Sequence, residues 1–451
     1  MRDIKKFLQK LRPVQLIVLF YFIAVIVSVI LLSLPFVIKP GVKWTFIDAL
    51  FISVSAVSVT GLSVVSIPDT FNTAGIMILA LVLQLGGLGI MALGTFVWMI
   101  TGKKIGLQRR RLIMADHNQG NLSGLVELMR SILILIISIE VVGALLLGTR
   151  FLLYFPSWKE AYFHGFFAAV SATTNGGFDL TGQSLIPYQK DYVVQIIHML
   201  LIILGAIGFP VLMEVKQYLS KEKHQLFRFS LFTKLTTTTF FSLIIVGTIV
   251  IFLLERNQFL LGKSWHETVF YTLFQSVTTR SGGLATMDIR DLSQPTLLFM
   301  SVLMFIGASP SSVGGGIRTT TFAVNILSLY TFAKGGSGRT VRVFKRQLHE
   351  EDVLKASVVM TMGILLCASA LFILSMTENA PFMSLIVEVC SAFGTTGLST
   401  GITSDLTTAG KLVLIVLMFI GRVGILTFIL ASGGREQPPR YKYPKERIII
   451  G

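Results

Sequence analysis

Four short stretches of this 451-residue chain interrupt apolar sequence with small residues that expose the backbone: "SAVSVTGLSV" at 55–64, "SATTNGGFDL" at 171–180, "SVTTRSGGLATM" at 276–287 and "CSAFGTTGLSTG" at 390–401. Aligned on a glycine followed by Leu or Phe, they read Val59-Thr60-Gly61-Leu62, Asn175-Gly176-Gly177-Phe178, Ser281-Gly282-Gly283-Leu284 and Thr395-Thr396-Gly397-Leu398. The chemistry open to such residues is that of the main chain. Non-helical backbone at membrane depth carries unpaired N–H and C=O groups, tolerated only where protein or a watery cavity satisfies them. Carbonyls turned toward a common line can replace the hydration shell of a cation. Glycine suits this because it reaches positive φ without a steric cost. Asp179 follows the second stretch and has no equivalent in all four, so no acidic ring accompanies them. Selection by carbonyls alone favours a monovalent cation over a divalent one. A single stretch of this kind reads most simply as packing glycines between helices, which is the reading for Gly86, Gly87 and Gly89 in "LGGLGIMALG". Recurrence at spacings of 116, 106 and 114 residues argues against packing for the four stretches.

The elements that must position these stretches are membrane helices. The chain is 53% hydrophobic and 14% charged, against about a quarter charged in soluble domains. Several near-uncharged runs, such as 14–34, 75–100, 131–147 and 412–430, can span the hydrocarbon as helices. The net charge of +16 does not point to nucleic acid, because 27 of the 39 Lys and Arg fall in five blocks: before Pro13, and within 103–130, 216–234, 334–355 and 435–447. The alternate connections hold few basic residues and many of the acids. That alternation puts the basic blocks and both termini in the cytoplasm. Two readings of the blocks stand side by side, binding of anionic lipid headgroups and docking of a cytosolic partner.

Between basic blocks the order is constant: a span, an outer loop, a short half-apolar run, the glycine stretch and a second span. The first spans are expected at 14–34, 131–153, 235–254 and 353–376. The second are expected at 73–99, 191–217, 294–333 (broken) and 408–431. The short runs, 44–58, 158–173, 264–279 and 380–394, are too short to cross and read as re-entrant half-helices entering from outside. The predicted fold is an all-α polytopic membrane protein of four M1–P–M2 units, with eight spans and four re-entrant pore helices. Its units fall at 1–100, 101–219, 220–333 and 334–434, followed by a tail at 435–451. Two spans per unit return the chain to its starting side, so the units share one orientation and surround an axis along the membrane normal. The C-terminal ends of the half-helices then aim partial negative charge at a central pore.

Two further irregularities stand out. "GASPSSVGGGIRTTTF" at 307–322 cannot continue a regular helix, given Pro310 and Gly314, Gly315 and Gly316. Residues 310–320 are expected as an intramembrane loop, with Thr319 and Thr320 offering hydroxyls. Arg422 in "MFIGRVGIL" is a charge inside a span, expected either as an electrostatic barrier or as a brace donating to the loop carbonyls. Arg280 is read as bracing the third stretch and Glu140 as paired within the bundle; Arg318 is left without a role. No enzyme constellation is present. "GGSGRT" at 335–340 lacks the Lys-Ser/Thr ending of a phosphate loop, the six histidines are scattered, and Cys367 and Cys390 imply neither metal nor disulfide.

Four such units with TTGLS-like stretches, each keeping one glycine, resemble the superfamily of Trk, Ktr and plant HKT potassium transporters. The length and short N-terminus look most like the KtrB-type membrane subunits of bacterial Ktr systems. The resemblance implies potassium uptake across the bacterial plasma membrane through a selectivity filter made by the four stretches. It implies a gating role for the loop and a pore-facing Arg422. It also implies a homodimer under a cytosolic ring of KtrA-type subunits that bind ATP or ADP. This chain would carry no cofactor, and Na⁺ stays open as an activator. The competing reading is an alternating-access transporter coupled to Na⁺ or H⁺, which inverted repeats and midplane carboxylates would favour; the sequence offers neither.

Overall fold

The computed structural model describes residues 11–89, 125–220, 227–335 and 341–432, with positions 444 and 446. The end of the first expected second span (90–99), most of the second basic block (103–124) and nearly all of the tail lie outside these residues.

Helices α1 (Pro13–Leu32), α4 (Leu125–Phe151), α8 (Leu231–Glu255) and α12 (Glu350–Thr377) are long and apolar enough to cross a membrane. Their 20 to 28 residues reach about 30–42 Å at 1.5 Å per residue, against a hydrocarbon core of about 30 Å. Between them lie short helices that end at the glycine stretches: α2 (Phe46–Val57), α5 (Trp158–Thr173), α9 (Trp265–Thr278) and α13 (Phe382–Phe393). Their starts are set by local chemistry. Thr45 with Asp48, and Ser264 with Glu267, form capping boxes that satisfy the first orphan N–H groups of α2 and α9. Pro381 immediately precedes the first turn of α13.

The second set comprises α3 (Thr73–Leu88), α6 (Tyr192–Ala206) with α7 (Phe209–Ser220), α10 (Gln294–Ile306) with α11 (Thr319–Ala333), and α14 (Thr408–Val423) with α15 (Ile425–Ser432). Here the structure corrects the sequence reading, which expects a break only in the third. α6 and α7 meet at 103°, and α14 and α15 at 96°. All four of α3, α6, α10 and α14 stop at a left-handed glycine: Gly89 (φ 83°), Gly208 (103°), Gly307 (71°) and Gly424 (92°). Gly89 is therefore a helix terminator rather than a packing glycine. Gly86 and Gly87 do pack, against Val57 and Thr174. Hydropathy remains high through the bends at Gly208 and Gly424, so only the backbone torsion reveals those two. The segment expected at 310–320 has different bounds. It runs over 307–318, and Thr319 and Thr320 belong to the first turn of α11.

Broken helices leave orphan groups that must be paired. Two breaks pair each other: Ser309 N donates to Ala206 O (3.1 Å), Val313 N to Gly205 O (3.2 Å) and Phe209 N to Ser311 O (2.8 Å). Acids at helix ends anchor the starts of the next helices. The fully buried Glu255 accepts from Ser293 N (2.9 Å) and Oγ (2.6 Å), and Glu378 accepts from Thr407 N (2.9 Å). Asp191 caps α6 and pairs with Arg150 at 2.7 Å; burial raises its carboxyl, but hydrogen bonds from Arg150 and Tyr154 outweigh this and hold it below the usual carboxylate range.

One core joins α1–α3 to α12–α14, and a second joins α4–α6 to α8 and α9. A two-strand hairpin, Arg342–Val343 with Arg346–Gln347, departs from the all-α expectation. Its central residues, Phe344 (φ 49°) and Lys345 (62°), take the left-handed torsions of a tight hairpin turn.

Candidate functional site

Each glycine stretch begins where a short helix ends, and the four share one backbone pattern. The first aligned residue has positive φ in every case: Val59 56°, Asn175 54°, Ser281 75° and Thr395 46°. The third, the aligned glycine, does so as well: Gly61 93°, Gly177 67°, Gly283 70° and Gly397 91°. The sequence points to the glycine but not to its partner. A β-branched residue such as Val59 or Thr395 in this region is strained, by about 1–3 kcal/mol, and persists only where its surroundings over-determine it.

Hydrogen bonds supply that determination. The second aligned N–H turns back to the preceding helix: Thr60 to Ser55 O (2.8 Å), Gly176 to Ser171 O (2.6 Å), Gly282 to Thr278 O (2.7 Å) and Thr396 to Ser391 O (2.8 Å). Hydroxyls reinforce it. Ser55 and Ser391 accept from Gly61 N (3.1 Å) and Gly397 N (3.0 Å), whereas Ser171 and Thr278 donate to the carbonyls of Phe178 (2.6 Å) and Leu284 (2.5 Å). Sequence reasoning overlooked these hydroxyls. The available signal was a serine four residues before the first aligned residue in three of the four cases, Ser55, Ser171 and Ser391.

With the N–H groups turned outward, the four glycines meet. A β-carbon on Gly61 would lie 2.7 Å from Gly176 O, and one on Gly177 would lie 3.1 Å from Gly283 Cα and 3.2 Å from Gly61 Cα. On Gly283 it would collide with Thr396 O, and on Gly397 with Thr60 O while lying 3.0 Å from Gly61 Cα. The contacts run 61 to 177 to 283 to 397 and back to 61, a closed ring with the carbonyls of Thr60, Gly176 and Thr396 among its nearest atoms. The ring forms the floor of a cavity of about 890 Å³, whose wall carries Asp179, Lys263, Asp288, Arg290 and Asp291. Arg290 pairs with Asp288 at 2.8 Å and draws its carboxyl below the usual range. The ammonium of Lys263 sits 4.2 Å from the centre of the Phe259 ring.

On the other side of the ring lies the 307–318 segment. A β-carbon on Gly314 would be 2.6 Å from Ser281 Oγ, and one on Gly315 2.6 Å from Thr395 Cγ2. Gly316 (φ 85°) packs against Phe305 O at 3.0 Å by the same measure. Arg422, almost fully buried, donates to the carbonyls of Val313 and Gly86 and, at 3.3 Å, of Gly87. Arg318 donates to Gly314 O. The buried Thr319 bonds Ser309 Oγ at 3.1 Å, and Thr320 lies half-buried beside it. Beneath is a cavity of about 70 Å³ bounded by Tyr21, Phe209, Ser312, Arg318 and Arg422.

The structure thus brings the four aligned glycines into one ring and sets Gly314 and Gly315 against Ser281 and Thr395, while Leu62 and Phe178, Leu284, and Leu398 pack outward into three different cores, and Thr319 and Arg422 touch the segment rather than the ring. Arg280 is fully buried behind the third stretch and donates to Leu303 O at 2.6 Å. Glu140 lies apart and accepts from the Gln84 side chain. Among the described residues no group of three or more His, Cys, Asp or Glu is placed to hold a metal ion.

Comparisons with known proteins agree with this architecture. The family model TrkH, described as a cation transport protein, matches residues 6–437. The chain is 61% identical to the Ktr system potassium uptake protein D of Bacillus subtilis over 99% of both chains, and 36% identical to the Ktr system potassium uptake protein B of the same organism over 97% of both. The crystal structure of the potassium transporter TrkH from Vibrio parahaemolyticus superposes with a TM-score of 0.71 at 21% identity, covering 92% of this chain and 84% of that one, a likeness of fold. On these matches the chain belongs to the TrkH family of cation transport proteins rather than to any enzyme class.

Proposed function

We propose that this protein takes up potassium across the bacterial plasma membrane through a pore whose selectivity filter is the ring formed by the four glycine stretches. The observation that carries the reading is the repeated pair of left-handed residues, at 59/61, 175/177, 281/283 and 395/397, closing into one ring beneath an outer cavity. Alternating torsions with outward-turned N–H groups leave carbonyls to face the axis, where they can stand in for water around a monovalent cation. Short helices ending at the ring add the partial negative charge of their C-termini. In this reading the helices form four parallel M1–P–M2 units, and both termini are cytoplasmic, as the basic blocks support.

The 307–318 segment is the gate and Arg422 its brace. The segment presses on the first residues of the third and fourth stretches and is tied to the broken ends of α6. Arg422 links it to the last turn of α3. Relatives named as components of a Ktr system support a cytosolic partner, here a KtrA-type ring that binds ATP or ADP, acting on a homodimer of this chain. Lipid headgroups share the basic surfaces with that partner. Potassium is the transported ion, with Na⁺ as a candidate activator.

The test is Rb⁺ uptake in potassium-transport-deficient cells, with Na⁺ as competitor, for wild type and for Gly61, Gly177, Gly283 and Gly397 each changed to serine. Loss of affinity and of discrimination in all four is expected. Wild-type behaviour in any folded variant removes that stretch from the filter.

A further inference from the structure

Arg280 is a fully buried cation immediately before the first residue of the third stretch. The equivalent positions are Ser58, Thr174 and Gly394, all neutral, so the fourfold ring is electrostatically lopsided. Its hydrogen bonding is sparse. Nη2 donates to Leu303 O at 2.6 Å, while Nε and Nη1 have no partner among the described residues, and no carboxylate reaches it there. Glu388, the buried acid on α13, instead accepts from the hydroxyls of Ser399 and Thr403. A guanidinium stays protonated in a protein. One carbonyl contact does not account for a buried charge whose desolvation is so unfavourable, since a neutral amide could make that bond. Arg280 follows directly on the C-terminal end of α9 and reaches the last turn of α10, so two helix ends with partial negative charge flank it.

We infer that Arg280 is a fixed countercharge that weakens potassium binding at the filter so that ions leave quickly, and that it holds the carbonyl ring together when no ion is bound. The inference rests on the ring being the potassium filter. Conduction needs binding strong enough to admit an ion and weak enough to release it. A permanent positive charge behind one quarter of the ring shifts that balance toward release without narrowing the pore. It also offsets the mutual repulsion of converging carbonyls, a task that otherwise falls to the ion.

The experiment compares wild type with Arg280→Gln and Arg280→Lys. Rb⁺ uptake gives half-saturation and maximal rate, and thermal unfolding of purified protein in K⁺ against N-methylglucamine gives a readout separate from transport. For Arg280→Gln the half-saturating Rb⁺ concentration should fall about tenfold, the order of effect expected from removing one buried unit charge beside the site. The maximal rate should fall with it, and the K⁺-dependent rise in Tm should exceed that of wild type. Arg280→Lys keeps the charge and loses the fork, so its half-saturation should stay within about twofold of wild type. If lysine and glutamine change transport alike, or glutamine raises half-saturation, Arg280 acts through its hydrogen bond to Leu303 O and not through its charge, and the inference is overturned. Should Arg280→Gln not fold, Arg280→Lys decides alone, a shift of fivefold or more counting against the inference. Failure of the filter reading itself shows separately, as Gly397→Ser leaving Na⁺ competition unchanged.

Discussion

Replacing Gly397 by serine tests the filter most sharply, because the structure separates the contributions to its effect. Gly397 has φ 91°, where an L-residue is strained by about 1–2 kcal/mol. The new β-carbon would also sit 3.0 Å from Gly61 Cα and collide with the carbonyl of Thr60. Both are backbone atoms and cannot rotate away as a side chain would, so the Thr60 peptide must turn, with an overpacking penalty of about 1–3 kcal/mol. Only the part that moves Thr60 O off the axis reaches the ion. If that is half of the sum, about 1–2.5 kcal/mol, the half-saturating concentration rises about five- to sixtyfold. Na⁺, smaller and less dependent on a full carbonyl ring, should then compete better. Gly41 provides the control, with φ 85° and nothing within 4 Å of a β-carbon. Gly41→Ser carries the torsional strain alone and should leave transport unchanged. The assay is Rb⁺ uptake at matched membrane expression, with and without Na⁺. Wild-type half-saturation and Na⁺ competition in Gly397→Ser would refute the assignment, and an equal effect of Gly41→Ser would show that strain anywhere in the chain suffices.

Other expectations follow from the same geometry. Deleting several residues within 310–318 should raise K⁺ flux from liposomes and reduce its dependence on the regulatory subunit; lower or unchanged flux in a folded deletion would make the segment structural. Arg422→Ala should raise flux as well, since the carbonyls of Val313, Gly86 and Gly87 lose their common donor. Reversing Arg342, Lys345 and Arg346 to glutamate alters the hairpin between α11 and α12 and should weaken co-purification with the regulator; undiminished association would leave headgroup binding as the role of that surface. Glu255→Ala removes a buried carboxylate that accepts two hydrogen bonds from Ser293 and should lower stability by about 2–3 kcal/mol, read as an earlier thermal transition without a change in ion selectivity.

The sequence alone determined the membrane character, the long helices and the location of the glycine stretches, because these depend on local composition. A run of apolar residues such as 235–254 must leave water wherever it sits, and glycine at 61, 177, 283 and 397 announces a torsion few other residues accept. The capping pairs Thr45–Asp48 and Ser264–Glu267 act over only three residues, a local signal that the sequence reading did not use. What required the tertiary structure was long-range. Val59 and Thr395 have no intrinsic preference for positive φ; their torsions are imposed by hydrogen bonds to the helices before them and, at Thr395, by contact with Ser281 of the neighbouring stretch. The breaks at Gly208 and Gly424 were hidden because hydropathy is indifferent to direction, and a chain that turns by 103° or 96° keeps the same composition. The partner of Arg422 could not be read from its neighbours. Its donors reach carbonyls 109 and 336 residues away, and only packing decides which orphan groups a buried guanidinium satisfies.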